Sequence, residues 1–301
     1  MIERKAYAAL MRLSEQFPVV AITGPRQSGK TTLAKYAFPD KQYVSFDDKN
    51  LRELAKSSPG DFLKAFPDGA IIDEAQKVPE IFDAIKLVVD KGDYTPGKYI
   101  LTGSSQFRLK QNITDSLAGR VGLIKLLPFS IEELKEAGIL PDEPYDMFFK
   151  GFYPPLHDGN KHFYLDDWFE NYIDTYLDLD VQDQINSSNL SAFRKFIQVC
   201  ALYSGQIINY ESISRDIGVS SVTIKNWCSI LEASYIIHFL EVDSNNLGRT
   251  VVKTPKLYFV DSGLLCYLLR LESKEELLLD SHKSAVVETV AVSELLKKRF
   301  N

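Results

Sequence analysis

Short apolar runs alternate with amphipathic stretches along the first 130 residues of the chain. A short apolar run between polar or glycine positions is typical of a buried strand, whereas apolar positions three and four apart predict a helix. The predicted strands are residues 19–22, 42–46, 70–72, 99–101 and 121–127. The predicted helices are residues 3–15, 31–37, 50–65 and 81–90. This alternation predicts an α/β fold, in which flanking helices cover both faces of a parallel sheet.

The pattern changes near residue 140, where the segment GILPDEPYD is rich in turn-forming residues. A cluster of this kind marks a loop, and we place a domain boundary there. Beyond it the apolar spacing is mainly helical. The predicted division is an α/β domain at 1–140, a mainly helical domain at 141–270 and a final segment at 271–301.

Six aromatic residues recur near helical spacing in residues 163–176. Aromatic residues spaced in this way belong more often to a core than to a stacking surface for bases. The residues that we predict to be core are Phe163, Tyr164, Trp168, Phe169, Tyr172 and Tyr176.

Residues 210–234 have the form of a helix-turn-helix. Gly218 would form the turn, and Ser220 or Ser221 would cap the second helix. The apolar segments YIIHFLEV and KLYFV follow as candidate wing strands, so the sequence predicts a winged helix. The residues of the second helix that we predict to face the core are Val222, Trp227, Ile230 and Leu231.

A winged helix can enter the major groove of DNA, but the charge of this segment gives that role little support. The second helix carries one cation, Lys225, and residues 205–260 contain five basic and five acidic residues. A segment of zero net charge neutralises few phosphates. Packing or a contact between subunits is the alternative, so both DNA and a second copy of the chain remain open as partners.

The composition is that of an ordinary globular chain, with 301 residues and a net charge of −6. A chain whose main task was coating nucleic acid would usually be basic. Cys200, Cys228 and Cys266 form no CxxC pair, and we expect them to be buried apolar side chains in a reducing compartment. No long apolar run and no signal peptide are present, so we expect a cytoplasmic protein without a membrane span.

The segment Gly24–Thr31 fits the phosphate-binding pattern GxxxxGK[ST] in full, and it lies between a predicted buried strand and a predicted helix. Glycines at positions 24 and 29 let backbone N–H groups curl around phosphate oxygens. The positive end of the helix dipole points at the same oxygens. The residues that we predict to bind nucleotide are Gly24, Pro25, Arg26, Gln27, Ser28, Gly29, Lys30, Thr31 and Thr32.

Within this loop, Lys30 would bridge the β- and γ-phosphates and the Thr31 hydroxyl would ligate Mg²⁺. Asp73 follows the predicted strand 70–72, at the position where a carboxylate supports the bound Mg²⁺. Glu74 is the next residue and would act as general base on an attacking water. The predicted metal residues are therefore Thr31 and Asp73.

Two further residues are candidates for catalysis. Ser104 follows the strand 99–101, with Thr102 and Ser105 beside it, and could contact the γ-phosphate or the water. Capping of a helix is the alternative role for this serine. Arg120 could offset charge on the γ-phosphate in its own or a neighbouring subunit, and a packing role is its alternative.

Taken together, these segments resemble the AAA-type ATPases of bacteria and archaea that join a P-loop domain to an uncharacterised winged-helix and nuclease-like C-terminal half. The resemblance rests on GPRQSGKTTL, IIDEAQ, YILTGSSQF, SLAGRVGLIKLLPFS, VTIKNWCSILEASYIIHFL and KTPKLYFVDSGLLCYLL, in the order of the family. It implies an AAA-like core, with Lys30 and Thr31 in Walker A, Asp73 and Glu74 in Walker B and Ser104 near the sensor position. Arg120 would be the finger or sensor arginine.

The chain departs from this family at two places. Leu179 stands where many members have an arginine. The stretch 284–288 lacks the glycine and the aromatic–glutamate pair that open the nuclease-like domain, and the chain ends at Asn301 within a helical pattern. We interpret residues 271–301 as the start of a truncated or degenerate nuclease-like domain, and nuclease activity is not carried over.

The motifs favour a Mg²⁺-dependent ATPase whose hydrolysis drives a conformational change in the winged-helix domain, with slow turnover in the absence of a partner. No guanine-reading NKxD motif is present, which favours ATP over GTP. The alternative is a nucleotide-gated DNA- or protein-binding module with little turnover.

Overall fold

A computed structural model describes residues 2–92, 94–103, 109, 112–113, 115–160, 162–177, 181, 184–185, 189–241 and 254–300. The chain divides into two compact units, one formed by Met1–Pro128 with Lys297–Asn301 and the other by Phe129–Leu296. The predicted domain boundaries at residues 140 and 270 stay predictions. In the part of the chain that is described, no helix has the length and apolar character needed to cross a membrane.

The first unit contains a five-stranded sheet in which every pair of neighbouring strands is parallel, in the order β2-β3-β4-β1-β5. The strands are β1 Val19–Thr23, β2 Gln42–Ser45, β3 Ala70–Asp73, β4 Tyr99–Thr102 and β5 Val121–Lys125. Each predicted strand is present, and the parallel sheet of the predicted α/β fold is confirmed. The carboxyl ends of all five strands therefore lie along one edge of the sheet.

Helices cover both faces of this sheet. They are α1 Ala6–Ser14, α2 Lys30–Ala37, α3 Lys49–Ser57, α4 Pro59–Lys64 and α5 Glu80–Asp90, with a short 3₁₀ helix at Ala75–Lys77. Side chains alternate between the two faces of a strand. Accordingly, Ala21 lies in one core with Phe82 of α5, whereas Val20 lies in another with Leu10 of α1 and Leu33 of α2.

The single helix predicted at residues 50–65 is wrong in one respect, because the structure has two helices there. Ser58 leaves the helical conformation, with φ −147° and ψ 72°, and Pro59 begins α4. Proline lacks the N–H needed inside a helix but fits the first turn, so it starts a new helix here. Asp48 caps the preceding helix, since its carboxylate accepts hydrogen bonds from the backbone N–H groups of Asn50 and Leu51.

The second unit is mainly helical, as predicted. Its helices are α6 Ile131–Glu136, α7 Pro144–Lys150, α8 Leu165–Tyr176, α9 Leu190–Leu202, α10 Tyr210–Ile217, α11 Ser221–Ala233, α12 Ser262–Leu268 and α13 Lys274–Leu279, together with α14 Lys283–Phe300 as far as Leu296. Two strands, β6 Ile237–Leu240 and β7 Lys256–Phe259, pair antiparallel.

The helices α10 and α11 are joined by the predicted turn. Gly218 has φ +84°, a left-handed conformation that glycine adopts without a steric penalty. The Ser220 hydroxyl caps α11 by accepting the N–H of Thr223 at 3.1 Å. The antiparallel strands β6 and β7 come after this helix pair in the chain, the first of them within a few residues of its end.

The prediction of core residues on α11 is wrong for Val222. Val222 is 65% exposed, whereas Trp227 and Leu231 are buried as predicted. The buried face is completed by Ile224, which lies three and seven residues before these two and so shares their side of the helix. Val222 lies five residues before Trp227. Five residues along a helix rotate the side-chain direction by more than a third of a full turn, so Val222 points away from the buried side.

The aromatic stretch contributes four of its six residues to the core. Trp168, Phe169, Tyr172 and Tyr176 are buried. Phe163 and Tyr164 are 44% and 83% exposed, so the prediction is wrong for both. They precede the first residue of α8, and the helical spacing on which the prediction depends does not extend to them.

The three cysteines are buried and free, as predicted. Burial, reinforced by a contact with Cys228, raises the pKa of the Cys200 thiol well above its usual value. A thiol held neutral in this way behaves as an apolar core side chain rather than as a nucleophile.

We expect Ile224→Ala to lower the free energy of unfolding of the second unit by about 2–4 kcal/mol, because it leaves a cavity in a closed core. Val222→Ala, on the same helix but exposed, is the matched control and should change it by less than about 0.5 kcal/mol. Urea unfolding followed by tryptophan fluorescence measures this unit selectively, since both tryptophans of the chain, Trp168 and Trp227, are buried in it. Equal losses in the two variants would contradict the assignment of the buried face.

Candidate nucleotide site

The loop predicted to bind phosphate follows β1 and ends where α2 begins at Lys30. Gly24 has φ +147°, and a Cβ atom at this position would lie 2.1 Å from the carbonyl oxygen of Leu126. Gly29 has φ +91° and precedes α2 directly. Both glycines are therefore required by the backbone itself, because a side chain would be strained at either position and would clash at the first. Such a cradle fits the backbone approach that a phosphate group needs.

The ammonium group of Lys30 lies inside the curve of this loop. Its Nζ donates to the carbonyl oxygens of Gly24, at 3.0 Å, and Pro25, at 2.7 Å. The residue is buried, so its charge acts in a medium of lower dielectric constant than water. This arrangement concentrates positive charge where an anion would enter the loop.

The other predicted loop residues differ in exposure. Ser28 is fully buried, and within the described part of the chain its Oγ has no hydrogen-bond partner. Gln27 is exposed with φ +59°, and Thr32 is exposed in the first turn of α2. Arg26 is half-buried. The structure thus brings the predicted residues into one loop, and their individual contacts with a nucleotide stay predictions.

The carboxylate of Asp73, at the end of β3, collects hydrogen bonds from neighbouring elements. Its Oδ2 accepts the hydroxyl of Thr31 at 3.0 Å and the phenol of Tyr43 at 2.8 Å. Its Oδ1 accepts the hydroxyl of Thr102 and the backbone N–H of Glu74, the latter at 3.2 Å. Thr31 and Asp73, separated by 42 residues in the chain, therefore lie together at the carboxyl edge of the sheet.

Tyr43 is a member of this cluster that the sequence analysis missed. It lies on β2 in register with Ile71, two residues before Asp73 on the neighbouring strand. Partial burial, together with its hydrogen bond to Asp73, raises the pKa of Tyr43 to about 12. The ammonium of Lys35 lies 3.4 Å from the centre of the Tyr43 ring. Only the strand register could have identified this tyrosine, since nothing in its own segment distinguishes it.

Glu74 has a left-handed backbone, with φ +53°, and its Oε2 accepts the side-chain amide of Gln76 at 2.5 Å. Gln76 is only 4% exposed, and it too was missed. A Cβ atom on Gly103 would lie 2.2 Å from the Gln76 Oε1, so the glycine after β4 makes room for this amide. The segment IIDEAQ thus supplies a carboxylate and a residue that holds it.

The remaining predicted residues are Ser104 and Arg120. Ser104 and its neighbour Ser105 lie outside the described residues. Arg120 precedes β5 and therefore lies at the amino edge of the sheet, about 16 Å along the strands from the loop. Its Nε donates to the carboxylate of Asp90 at 2.6 Å. Arg120 is thus paired with Asp90 in this structure, and its contact with the γ-phosphate of its own or a neighbouring subunit stays a prediction.

The donor set at Asp73 suits a hard cation. Among the described residues, no group of three or more histidines, cysteines or carboxylates could hold a metal ion by itself. Mg²⁺ in a phosphate loop is usually held by one or two protein oxygens together with water and phosphate oxygens. The hydroxyl of Thr31 and the carboxylate of Asp73 are oxygens of this kind, 3.0 Å apart.

Two family models match the chain. Residues 16–135 match an AAA domain, and residues 142–275 match a domain of unknown function. Uncharacterised proteins of Mycobacterium bovis and Mycobacterium tuberculosis are each 28% identical over 276 residues, which is 91% of this chain and 61% of their own length. The chain thus spans about three fifths of the length of these curated relatives.

A solved structure, that of a Walker-type ATPase of Pyrococcus abyssi, is similar with a TM-score of 0.54 and 15% identity. The similarity covers 89% of this chain and 96% of that one. At this identity it shows the fold alone. Residues 16–135 are therefore similar to an AAA domain and have the fold of a P-loop ATPase, whereas residues 142–275 match a domain whose function is not characterised.

We expect Tyr43→Phe to change how the stability of the first unit depends on pH. The folded protein holds Tyr43 protonated up to about pH 12, whereas an unfolded tyrosine titrates near 10.0. The contribution of the raised Tyr43 pKa to the free energy of unfolding is therefore complete below pH 10 and is lost as the pH rises from 10 towards 12. Thermal unfolding by circular dichroism should show a steeper loss of stability over this range in the wild type than in Tyr43→Phe.

Tyr94→Phe, which alters an exposed tyrosine of the same unit, is the control and should follow the wild type. Identical pH profiles for Tyr43→Phe and the wild type would argue against a hydrogen bond between Tyr43 and Asp73.

Proposed function

We propose that the chain binds ATP with Mg²⁺ at the loop Gly24–Thr31 and hydrolyses it. The observation that carries this proposal is the contact between the Thr31 hydroxyl and the Asp73 carboxylate beside a lysine held within the loop. The match of residues 16–135 to an AAA domain supports the same class of ligand.

Each side chain then has a task that its contacts support. Lys30 would transfer its hydrogen bonds from loop carbonyls to the β- and γ-phosphates. The Thr31 hydroxyl donates a hydrogen bond to the Asp73 carboxylate. The lone pairs of the Thr31 oxygen therefore point away from that carboxylate and towards a cation. Bound Mg²⁺ would supply charge neutralisation on the phosphate oxygens.

Glu74 is the proposed general base. Its carboxylate comes directly after β3, and its Oε2 accepts the side-chain amide of Gln76, which orients the group. A carboxylate can accept at about four lone-pair positions, so this hydrogen bond by itself does not prevent it from accepting a proton from water. Hydrolysis would proceed by attack of that water on the γ-phosphorus, with its proton passing to Glu74 and ADP leaving.

We further propose that hydrolysis drives a conformational change in the second unit, which we interpret as containing a winged helix. The pair α10 and α11, the cap at Ser220 and the antiparallel strands β6 and β7 support this interpretation. A cytoplasmic location, homo-oligomers and slow turnover without a partner belong to the same proposal.

For Glu74→Gln we expect the steady-state rate of phosphate release to fall by about 100-fold or more, since general-base catalysis contributes on this scale. The dissociation constant for ATP should change little, because glutamine has nearly the same shape. Glu53→Gln, an exposed residue of α3, is the matched control and should retain the wild-type rate. If the wild type and Glu74→Gln both remained at background, hydrolysis would be excluded while ATP binding could still be measured by calorimetry.

A second candidate is a nucleotide-gated binding module with little turnover. The observation that favours it is the outward face of α11, where Val222, Lys225 and Asn226 are exposed. Because this face carries a single cation, we expect binding of duplex DNA to be weak at low salt and absent at physiological salt.

Fluorescence anisotropy of labelled duplex DNA, with and without ATP, measures the affinity of the chain for DNA directly. An increase in affinity with ATP that is lost in Lys225→Glu, but kept in Lys135→Glu at an exposed position of α6, would favour the module over a pure ATPase. No change in anisotropy at low salt would remove DNA as the partner.

A further inference from the structure

We propose that Arg4, in the segment before α1, is a positioning residue that holds the phosphate loop in its binding conformation. Its Nη1 donates to the carbonyl oxygen of Ser28 at 2.7 Å, and its Nη2 donates to that of Leu127 at 2.5 Å. Arg4 is only 5% exposed, although it carries a charge. This inference rests on the proposed binding of nucleotide at the loop.

The bond to Ser28 fixes one peptide plane of the loop. Ser28 lies between Gln27 and Gly29, which both have positive φ. None of the described peptide bonds is cis, so the Gly29 N–H points opposite to the Ser28 carbonyl. Because Arg4 donates to the Ser28 carbonyl oxygen, that carbonyl points towards Arg4 and the Gly29 N–H points away from it. We place the bound phosphate on that side, since successive backbone N–H groups form concave sites for anions.

The bond to Leu127 fixes the segment behind the loop. The carbonyl of the preceding residue, Leu126, lies against Gly24, and the Leu126 N–H donates to the carbonyl of Thr23 at 2.7 Å. One guanidinium group therefore joins the loop to the chain segment that closes its other side. The two carbonyls are 99 residues apart in sequence, and only the folded unit brings them to the same side chain.

The chemistry of arginine suits this task. Its planar fork presents several N–H donors in fixed directions, so it can hold two carbonyl oxygens at once. A lysine ammonium on a flexible stem is less preorganised for two separate acceptors. The buried positive charge also lies behind a loop that would receive a polyanion, and the low dielectric constant of the interior increases that attraction.

The chain offers a matched control in Arg52. Its Nη1 donates to the carbonyl oxygen of Phe46 at 2.9 Å, which is the same kind of bond within the same unit. Arg52 lies on α3, and its acceptor Phe46 follows β2 and is not part of the loop. A general loss of stability should follow either substitution, whereas a change in nucleotide affinity should follow only the substitution at Arg4.

The experiment compares the full chain with its Arg4→Met, Arg4→Lys and Arg52→Met variants by calorimetric titration with Mg-ATP, at a temperature where circular dichroism shows each to be folded. We expect Arg4→Met to raise the dissociation constant about tenfold or more, the scale of a lost hydrogen bond to a charged group. Arg4→Lys should give a smaller increase, and Arg52→Met should stay within about twofold of the wild type. Steady-state kinetics should show the Arg4 effect mainly in KM, since Glu74 is untouched.

The outcomes separate this inference from the proposed function. If the wild type did not bind Mg-ATP, nucleotide binding itself would be overturned, and the role of Arg4 with it. If the wild type bound and folded Arg4→Met bound equally well, only the role of Arg4 would be overturned, as it would be if Arg52→Met weakened binding as much. Should Arg4→Met fail to fold, Arg4→Lys decides the question, because a dissociation constant equal to that of the wild type would contradict the proposal.

Discussion

The carboxylate of Asp73 joins the elements on which the candidate site depends. It accepts hydrogen bonds from Thr31 on α2, Tyr43 on β2 and Thr102 on β4. These donors can meet at one side chain because β2, β3 and β4 are parallel neighbours with their carboxyl ends on one edge. A slip of one residue in β3 would turn the Asp73 side chain to the other face of the sheet and separate it from all three donors. The register of the sheet and the geometry of the site therefore stabilise each other.

The loop beside this carboxylate is held through its carbonyl groups, which leaves N–H groups for an anion. Lys30 engages the carbonyls of Gly24 and Pro25, while Arg4 engages that of Ser28. A peptide unit whose carbonyl is fixed has its N–H direction fixed as well, since the two point opposite ways in a trans bond. Because Lys30 would exchange its carbonyls for phosphate oxygens, it is the Arg4 contact that would persist on binding. For the Ser28–Gly29 peptide, the cost of orientation is thus met during folding rather than during binding, which is the physical meaning of preorganisation.

Sequence patterns predicted the strands, the loop and the proximity of Thr31 to Asp73, because apolar runs and a fixed motif spacing carry that information. They did not predict Tyr43, Gln76 or Arg4, whose partners are set by strand register or by contacts between distant segments. The position of Arg120 also lay beyond the sequence patterns. A residue next to a strand can lie at either edge of the sheet, and only the direction of β5 relative to β1 decides which one. Ser104 lies outside the described residues, so its role stays a prediction.

The residues proposed for binding and for hydrolysis are held in different ways, and this difference bears on how the protein would be controlled. The binding residues lie on a loop whose glycines and carbonyls are fixed by the sheet edge. Glu74 instead has a left-handed backbone, which costs about 1–3 kcal/mol in a residue other than glycine, and its carboxylate is engaged by Gln76. Under the proposed function, a small backbone change at Glu74 would relieve strain and move the general base. The proposed hydrolysis would therefore be easier to regulate than the proposed binding.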